Sequence, residues 1–289
     1  MTQVVKTNKV DRILRSVDRL PTLPTIYTKL TNLLQSPNAT APMIGKVIAE
    51  DQAIAVKVLR IVNSAFYGLP NKIGSLKHAV VILGLSQIKN LVLATSTLQT
   101  FQKLETSHSF DMQEFWKHSI GCAIAGRVLA ETASLRNPDD VFSGGLLHDI
   151  GKLVHAVYLS GDFADIIADV EETGAPIIES EERVLGCDHT YTGKELAKKW
   201  GLSQGTIDMI AHHHLTDPEA ELTKEIAAIH VGNIFSTALG LGSGGEKKVP
   251  VADMKAWDIL GVELSSLESI VMRIDKLFNE SAVILEASP

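Results

Sequence analysis

The chain has 289 residues, 45% hydrophobic and 21% charged, enough apolar material for one large domain or two smaller ones. Its 27 basic residues against 34 acidic ones give a net charge of −7, which argues against general nucleic-acid binding but leaves room for a local basic pocket around one phosphate. Two cysteines (Cys122 and Cys187), a charged N-terminal stretch with no apolar centre, and a longest apolar run near Ala79 to Leu85 predict a reducing, cytoplasmic setting and no membrane span.

Helical periodicity recurs along nearly the whole chain, and no run of strand-like alternation interrupts it. In LPTLPTIYTKLTNLLQ, Ile26, Leu30, Leu33 and Leu34 form one stripe, broken at Ser36-Pro37-Asn38. A second helix is expected from Ala41 to Ala49. A third has Ala53, Val56, Leu59 and Ile61 inward and ends at Gly68-Leu69-Pro70. Residues 75–98 predict two short helices split near Gly84, with Ser86 able to cap the second. The polar stretch from Gln102 to Ser109 reads as a hinge. Beyond it, Asp111 with Glu114 reads as a capping box opening a helix to about Ala133. Asn137, followed by Pro138, Asp139 and Asp140, opens a helix that carries FSGGLLHDIGKLVHAVYL. Further helices are expected near 162–172, 176–185, 188–200, 203–214 and 222–239, then a glycine-rich loop from Gly240 to Gly245 and a last helix from about Ser265 to Ala287. The predicted fold is all-α.

The chemistry concentrates in the histidines, of which there are ten. His118 shares a face with Phe115, Cys122, Ala125 and Leu129 and so points into the core, where a lone histidine is more often packed than functional. His148-Asp149 is a sharper signal. Adjacent helical side chains stand about 100° apart and can converge on one ion beside the helix. The neighbours Leu146, Leu147, Ile150 and Leu153 are apolar, so the pair should be buried, and buried ionisable groups need a partner. Lys152 could neutralise a carboxylate or hold a phosphate oxygen, and Gly144, Gly145 and Gly151 would admit close backbone. His189 follows a capping Asp188, an uninformative position. Of His212, His213 and His214, beside a helix C-terminus, at most two should bind a cation. His155, two turns after His148, could back a ligand but reads more simply as packed.

The ordered set His118, His148-Asp149, Lys152, His189 and His213-His214 resembles the HD superfamily of metal-dependent phosphohydrolases, in its extended HD-GYP form. LPTLPTIYTKLTNLLQSP, IAEDQAIAVKVLRIVNSAFYGLP, KIGSLKHAVVILG, FSGGLLHDIGKLV and LGCDHTYTGKELAKKWGL resemble the HDOD family, HD-related output domains of bacterial signalling proteins, from about Leu20 to Phe278. The resemblance implies an N-terminal helical bundle (20–101) packed on an HD-like bundle (109–280), together forming a domain over 20–280, with an extension at 1–19 and a tail at 281–289. It implies metal ligands at His118, His148, Asp149, His189, His213 and His214, with Asn233, from AIHVGNIFS, where catalytic relatives close the set with aspartate. Asp51-Gln52 replaces the family's usual Asp-Pro.

The expected cofactor is a divalent transition metal, two ions of iron, manganese, zinc or nickel. One reading is a signalling module that binds metal and a nucleotide-like phosphate ligand and acts through partner signalling proteins, with neither nucleic acid nor membrane as partner. A second is a working phosphohydrolase in which Asp149 and Lys152 serve catalysis, and a third is a helical protein whose histidines are all structural, which requires six coincidences in the right order. Asn233 removes one negative charge from the set, which favours the first.

Overall fold

Every regular element among the described residues of the computed structural model is a helix, and the model describes residues 10, 13, 14, 23, 25–64, 67–101, 104 and 110–281. The expected N-terminal extension (apart from Val10, Ile13 and Leu14), most of the expected hinge, Ala65-Phe66 of the NSAFYG segment and the tail beyond Ser281 lie outside the described residues.

The N-terminal bundle comprises α1 (Thr25–Leu34), α2 (Ala41–Ala49), α3 (Gln52–Val62), α4 (Leu76–Leu83) and α5 (Leu85–Phe101). On α1, Ile26 and Leu30 are buried as the stripe predicts, with Leu33 and Leu34 packed at its edge. Asp51 caps α3 by accepting from Ile54 N at 3.0 Å, so the Asp-Gln departure leaves the helix start intact. The inward face of α3 differs from the expected one. Ile54, Val58, Ile61 and Val62 are buried, whereas Val56 is 50% exposed and Ala53 faces out. The helix also stops earlier, at Asn63. That side chain donates to the carbonyls of Leu59 and Ile73 and accepts from Ile73 N, tying the helix end to the next loop. Gly84, at φ +87°, separates α4 from α5, a conformation that favours glycine. Ser75 caps α4, and Ser86 lies inside α5 rather than capping it. The centre of the bundle is α5, buried on nearly all sides, where Thr95 and Thr97 satisfy their hydroxyls on the carbonyls of Leu91 and Leu93.

The second bundle begins with α6 (Met112–Thr132), α7 (Pro138–Leu147) and α8 (Ile150–Tyr158), and α5 packs against α7 to join the halves. It continues through α9 (Ser160–Thr173), α10 (Ile177–Leu185), α11 (His189–Lys199), α12 (Gln204–His212), α13 (Lys224–Ala238), α14 (Met254–Leu260) and α15 (Leu267–Glu280). Asp111 caps α6 by accepting from Gln113 N and Glu114 N, while the Glu114 carboxylate pairs with Lys117. Asn137 occupies the N-cap of α7 without a side-chain cap bond, so Pro138 and the acids of the first turn carry that start. Two expectations fail here. The helix carrying the HD pair is broken, with His148-Asp149 forming a turn between α7 and α8. In addition, α14 lies in a stretch between the glycine-rich loop and the last helix for which no element was expected, started by Asp253 capping Lys255 N. The last helix spans Leu267–Glu280, starting two residues later than expected, while the expected end near Ala287 lies outside the described residues. Both cysteines are buried and unpaired, and no helix among the described residues is long and apolar enough to cross a membrane.

Candidate metal centre

The α7–α8 turn aims the HD side chains inward together. His148 keeps helical dihedrals, Asp149 moves to φ −96°, ψ 12°, and Lys152 N bonds back to the Asp149 carbonyl at 2.9 Å, restarting the helix. Glycines permit the approach of neighbouring elements, as the sequence suggests. A Cβ at Gly145 would lie 2.6 Å from Ala123 Cα on α6, and one at Gly151 would collide with the carbonyl of His189 at the start of α11.

Asp149 is the centre. Its Oδ2 faces His148 Nε2 at 3.3 Å and His118 Nε2 at 3.7 Å, and accepts from Lys152 Nζ at 2.8 Å. Its Oδ1 faces His189 Nε2 at 3.2 Å and His213 Nε2 at 3.5 Å. His214 completes that side, its Nε2 at 3.1 Å from His189 Nε2. The sequence-predicted ligands thus form two groups that share one carboxylate: Asp149, His189, His213 and His214, and His118, His148 and Asp149. Asn233, buried on α13, lies beside His118 and favours that ring's protonated form. Lys152 is 1% exposed, so its pairing with Asp149 is no surface ion pair.

Three rings are fixed from behind. The Nδ1 of His148 donates to the Gly145 carbonyl (2.7 Å), that of His213 to the Ile210 carbonyl (2.8 Å), and that of His189 to Glu181 (2.5 Å). Each therefore presents Nε2 to the cluster, the tautomer a metal ligand needs. The residues fit a metal on a second ground. His118 Nδ1 and Nε2, His148 Nε2, Asp149 Oδ1 and Asn233 Oδ1 are buried without a hydrogen-bond partner, an arrangement a fold tolerates where something else satisfies them. The facing ring nitrogens of His189, His213 and His214 are likewise a donor set for a transition metal.

Glu181 is a residue of the candidate site that the sequence does not single out. It is fully buried and accepts from His189 N, His189 Nδ1 and His155 Nδ1. His155 is therefore more than packing, since its Nε2 also meets Thr192 Oγ1 at 2.8 Å. A signal existed: Ile177, Glu181 and Leu185 share one helical face, placing a carboxylate on an apolar stripe. His189, judged uninformative by position alone, proves central.

Electrostatics follow from this packing. Burial works against the charged form of His148, but Asp149 and the Cys122 sulfur outweigh it and raise its pKa to about 10. For His189, burial is likewise opposed, chiefly by Glu181, and its pKa rises to about 9. Burial depresses His118 and His213 to about 3 and pushes His214 well down. Asp149 is held well below the carboxylate range: burial opposes this, but His148 and Lys152 prevail. At neutral pH the metal-free site thus holds protons on His148 and His189, and a metal taking Nε2 must displace them. Metal uptake should release about two protons and tighten steeply as pH rises toward 9. Calorimetry in buffers of different ionisation enthalpy reads the proton count directly, and pH-independent binding would contradict these protonation states.

Most of the site is shielded from solvent, with His214 half-buried at its edge. His118, His148, Asp149, His189 and His213 are each at most 1% exposed. A strap over residues 240–246 covers the Oδ2 side. Ser243 N bonds to the Glu114 carbonyl at 3.0 Å, and a Cβ at Gly244 would lie 3.0 Å from Asp149 Oδ2 and 3.1 Å from His118 Nε2.

Comparison with known proteins bears on the family and the fold. The HDOD domain family matches residues 20–216. An HDOD domain protein of unknown function from Geobacter sulfurreducens superposes with a TM-score of 0.74 at 26% identity, over 93% of this chain and 96% of that one. A candidate phosphohydrolase from Shewanella amazonensis gives the same TM-score at 22% identity, over 98% and 99%, a likeness of fold. Ribonuclease Y of Thermotoga petrophila is 31% identical over 136 residues, 47% of this chain. The chain spans 20% of that ribonuclease and 38% of an uncharacterised Treponema pallidum protein that is 23% identical over 199 residues.

Proposed function

The chain belongs to the HDOD domain family, and from that premise we propose that it is a cytoplasmic regulatory module of bacterial signalling whose HD-type site holds divalent transition metal. The observation that carries this reading is the cover over the Oδ2 side of the site: the ligand set could hold an ion, while the strap stands against Asp149 and His118 where a substrate would have to sit. A resident ion here would tie α6, the α7–α8 turn, α11 and the end of α12 into one body. Any change at the site would then reach the surfaces of those helices, which is what an output module needs to alter its contacts with signalling proteins.

Metal-dependent phosphohydrolysis is the second reading. Bound metal would supply a Lewis acid and a water of lowered pKa. Lys152 would hold positive charge beside Asp149, where a phosphate oxygen could meet it, once the strap had moved. The nucleotide-like phosphate ligand of the first reading would use the same lysine.

The test begins with elemental analysis of protein purified without a histidine tag. Less than about half an equivalent of iron, manganese, zinc and nickel together defeats the metal claim. Metal-loaded protein is then assayed on a generic phosphodiester and on cyclic dinucleotides. The regulatory reading expects no turnover. Metal-dependent hydrolysis that disappears in Asp149→Ala would replace it with the second reading.

A further inference from the structure

The two halves of the cluster are unequal. Around Asp149 Oδ1 stand three rings, His189, His213 and His214, so that side offers four donors. His189 is backed by the Glu181 carboxylate and His213 by a backbone carbonyl, which fixes both rings and places a second negative charge behind the position. Oδ1 faces only ring nitrogens, those of His189 at 3.2 Å and His213 at 3.5 Å. Around Oδ2 only His118 and His148 are available, making three donors, and His118 Nδ1 has nothing behind it. Oδ2 is also already engaged, because Lys152 Nζ sits 2.8 Å from it in a residue 1% exposed, and the strap closes over the same side.

We propose that the Lys152 ammonium occupies the electrostatic place of a second metal ion: the position at Asp149 Oδ1, His189, His213 and His214 is the tight, resident site, and the position at Asp149 Oδ2, His118 and His148 fills only weakly while Lys152 is in place. The inference rests on the metal-binding reading and ranks its two positions. The physical cause is charge. A divalent ion bound to Oδ2 would stand close to a buried cation that shares the same oxygen, with little water between them to screen the repulsion. On the other side, the nearest buried charge behind the ligands is the Glu181 carboxylate. The chain would therefore rest with one ion, and the second position would respond to whatever draws Lys152 away from Asp149, an anionic phosphate being the obvious chemistry.

Zinc alone is the probe. Metal-stripped full-length protein titrated with zinc at pH 8 should show one tight equivalent and a second at least about 100-fold weaker. Anomalous scattering from crystals grown at one equivalent should place the ion at Oδ1, His189, His213 and His214. Lys152→Met should tighten the second event at least about tenfold and by more than it tightens the first, and Lys152→Arg should keep the two events apart. Two events of equal affinity, a first ion located at His118 and His148, or a second event that stays weak in Lys152→Met would each overturn the proposal. Should Lys152→Met fail to fold, Lys152→Gln and the position of the first ion in the wild-type crystals decide it. Absence of any zinc binding would defeat the metal reading itself, whereas two equal ions would leave that reading standing and remove only this ranking.

Discussion

Asp149→Ala is expected to empty both metal positions at once and to destabilise the metal-free protein by about 3–5 kcal/mol. The first effect follows from geometry, since the carboxylate is shared by both ligand groups and no other acid belongs to either. Affinity should fall by more than about 100-fold, beyond what loss of a supporting residue costs. The second effect follows from what the substitution leaves behind. Lys152 and the protonated ring of His148 would remain buried without the charge that now faces them. The sign with pH is fixed. The carboxyl titrates well below its ordinary value in the folded protein, so its stabilisation is fully present above the usual carboxylate range and is lost as pH falls below it. Chemical denaturation of metal-free wild type and variant should thus differ most near neutrality and converge in acid. Equal stability at pH 7, or zinc still bound at one equivalent, would contradict this account.

Gly151→Ala should cost about 3 kcal/mol or more for a different reason. At this position α8 and α11 cross backbone to backbone: a Cβ would run into the His189 carbonyl oxygen and lie 2.8 Å from its carbon and 2.9 Å from Gly193 N. No side chain can turn aside there, so the helices must separate, and His189 would be carried away from Asp149. Stability and metal affinity should fall together. Gly161→Ala supplies the contrast. It lies on α9 with nothing within 4 Å of the added carbon, and should be neutral or stabilising by up to about 1 kcal/mol. Thermal unfolding of the two variants side by side checks both expectations, and a Gly151→Ala protein as stable as Gly161→Ala would refute the crossing argument.

The reach of the sequence differs from residue to residue. Asp111 and Asp188 are legible as caps because capping is local: a side-chain oxygen bonds an amide two or three residues away. Asn137 shows the limit of the same rule, for its side chain makes no such bond. On α3 the periodicity was read one position out of phase, which exposes Val56 and buries Val58. Several phases fit a helix with apolar residues nearly all round, and only the neighbours α2, α4 and α5 select one. The break at His148-Asp149 carries no glycine or proline to announce it.

What the sequence by itself determined is the helical fold, most of its helix boundaries, the family resemblance, and the residue types of the candidate site from His118 to His214. Periodicity, capping and motif order fix these, and all act over a few residues or by comparison along the chain. The tertiary structure decided that both oxygens of Asp149 are used and that Lys152 takes one side. It decided too that Glu181 and His155 stand behind His189, and that the strap covers the Oδ2 side of the site. Those facts depend on bringing α6, the α7–α8 turn, α10, α11 and α12 within a few ångströms of one another. Long-range packing sets that convergence, and no local period in the chain encodes it.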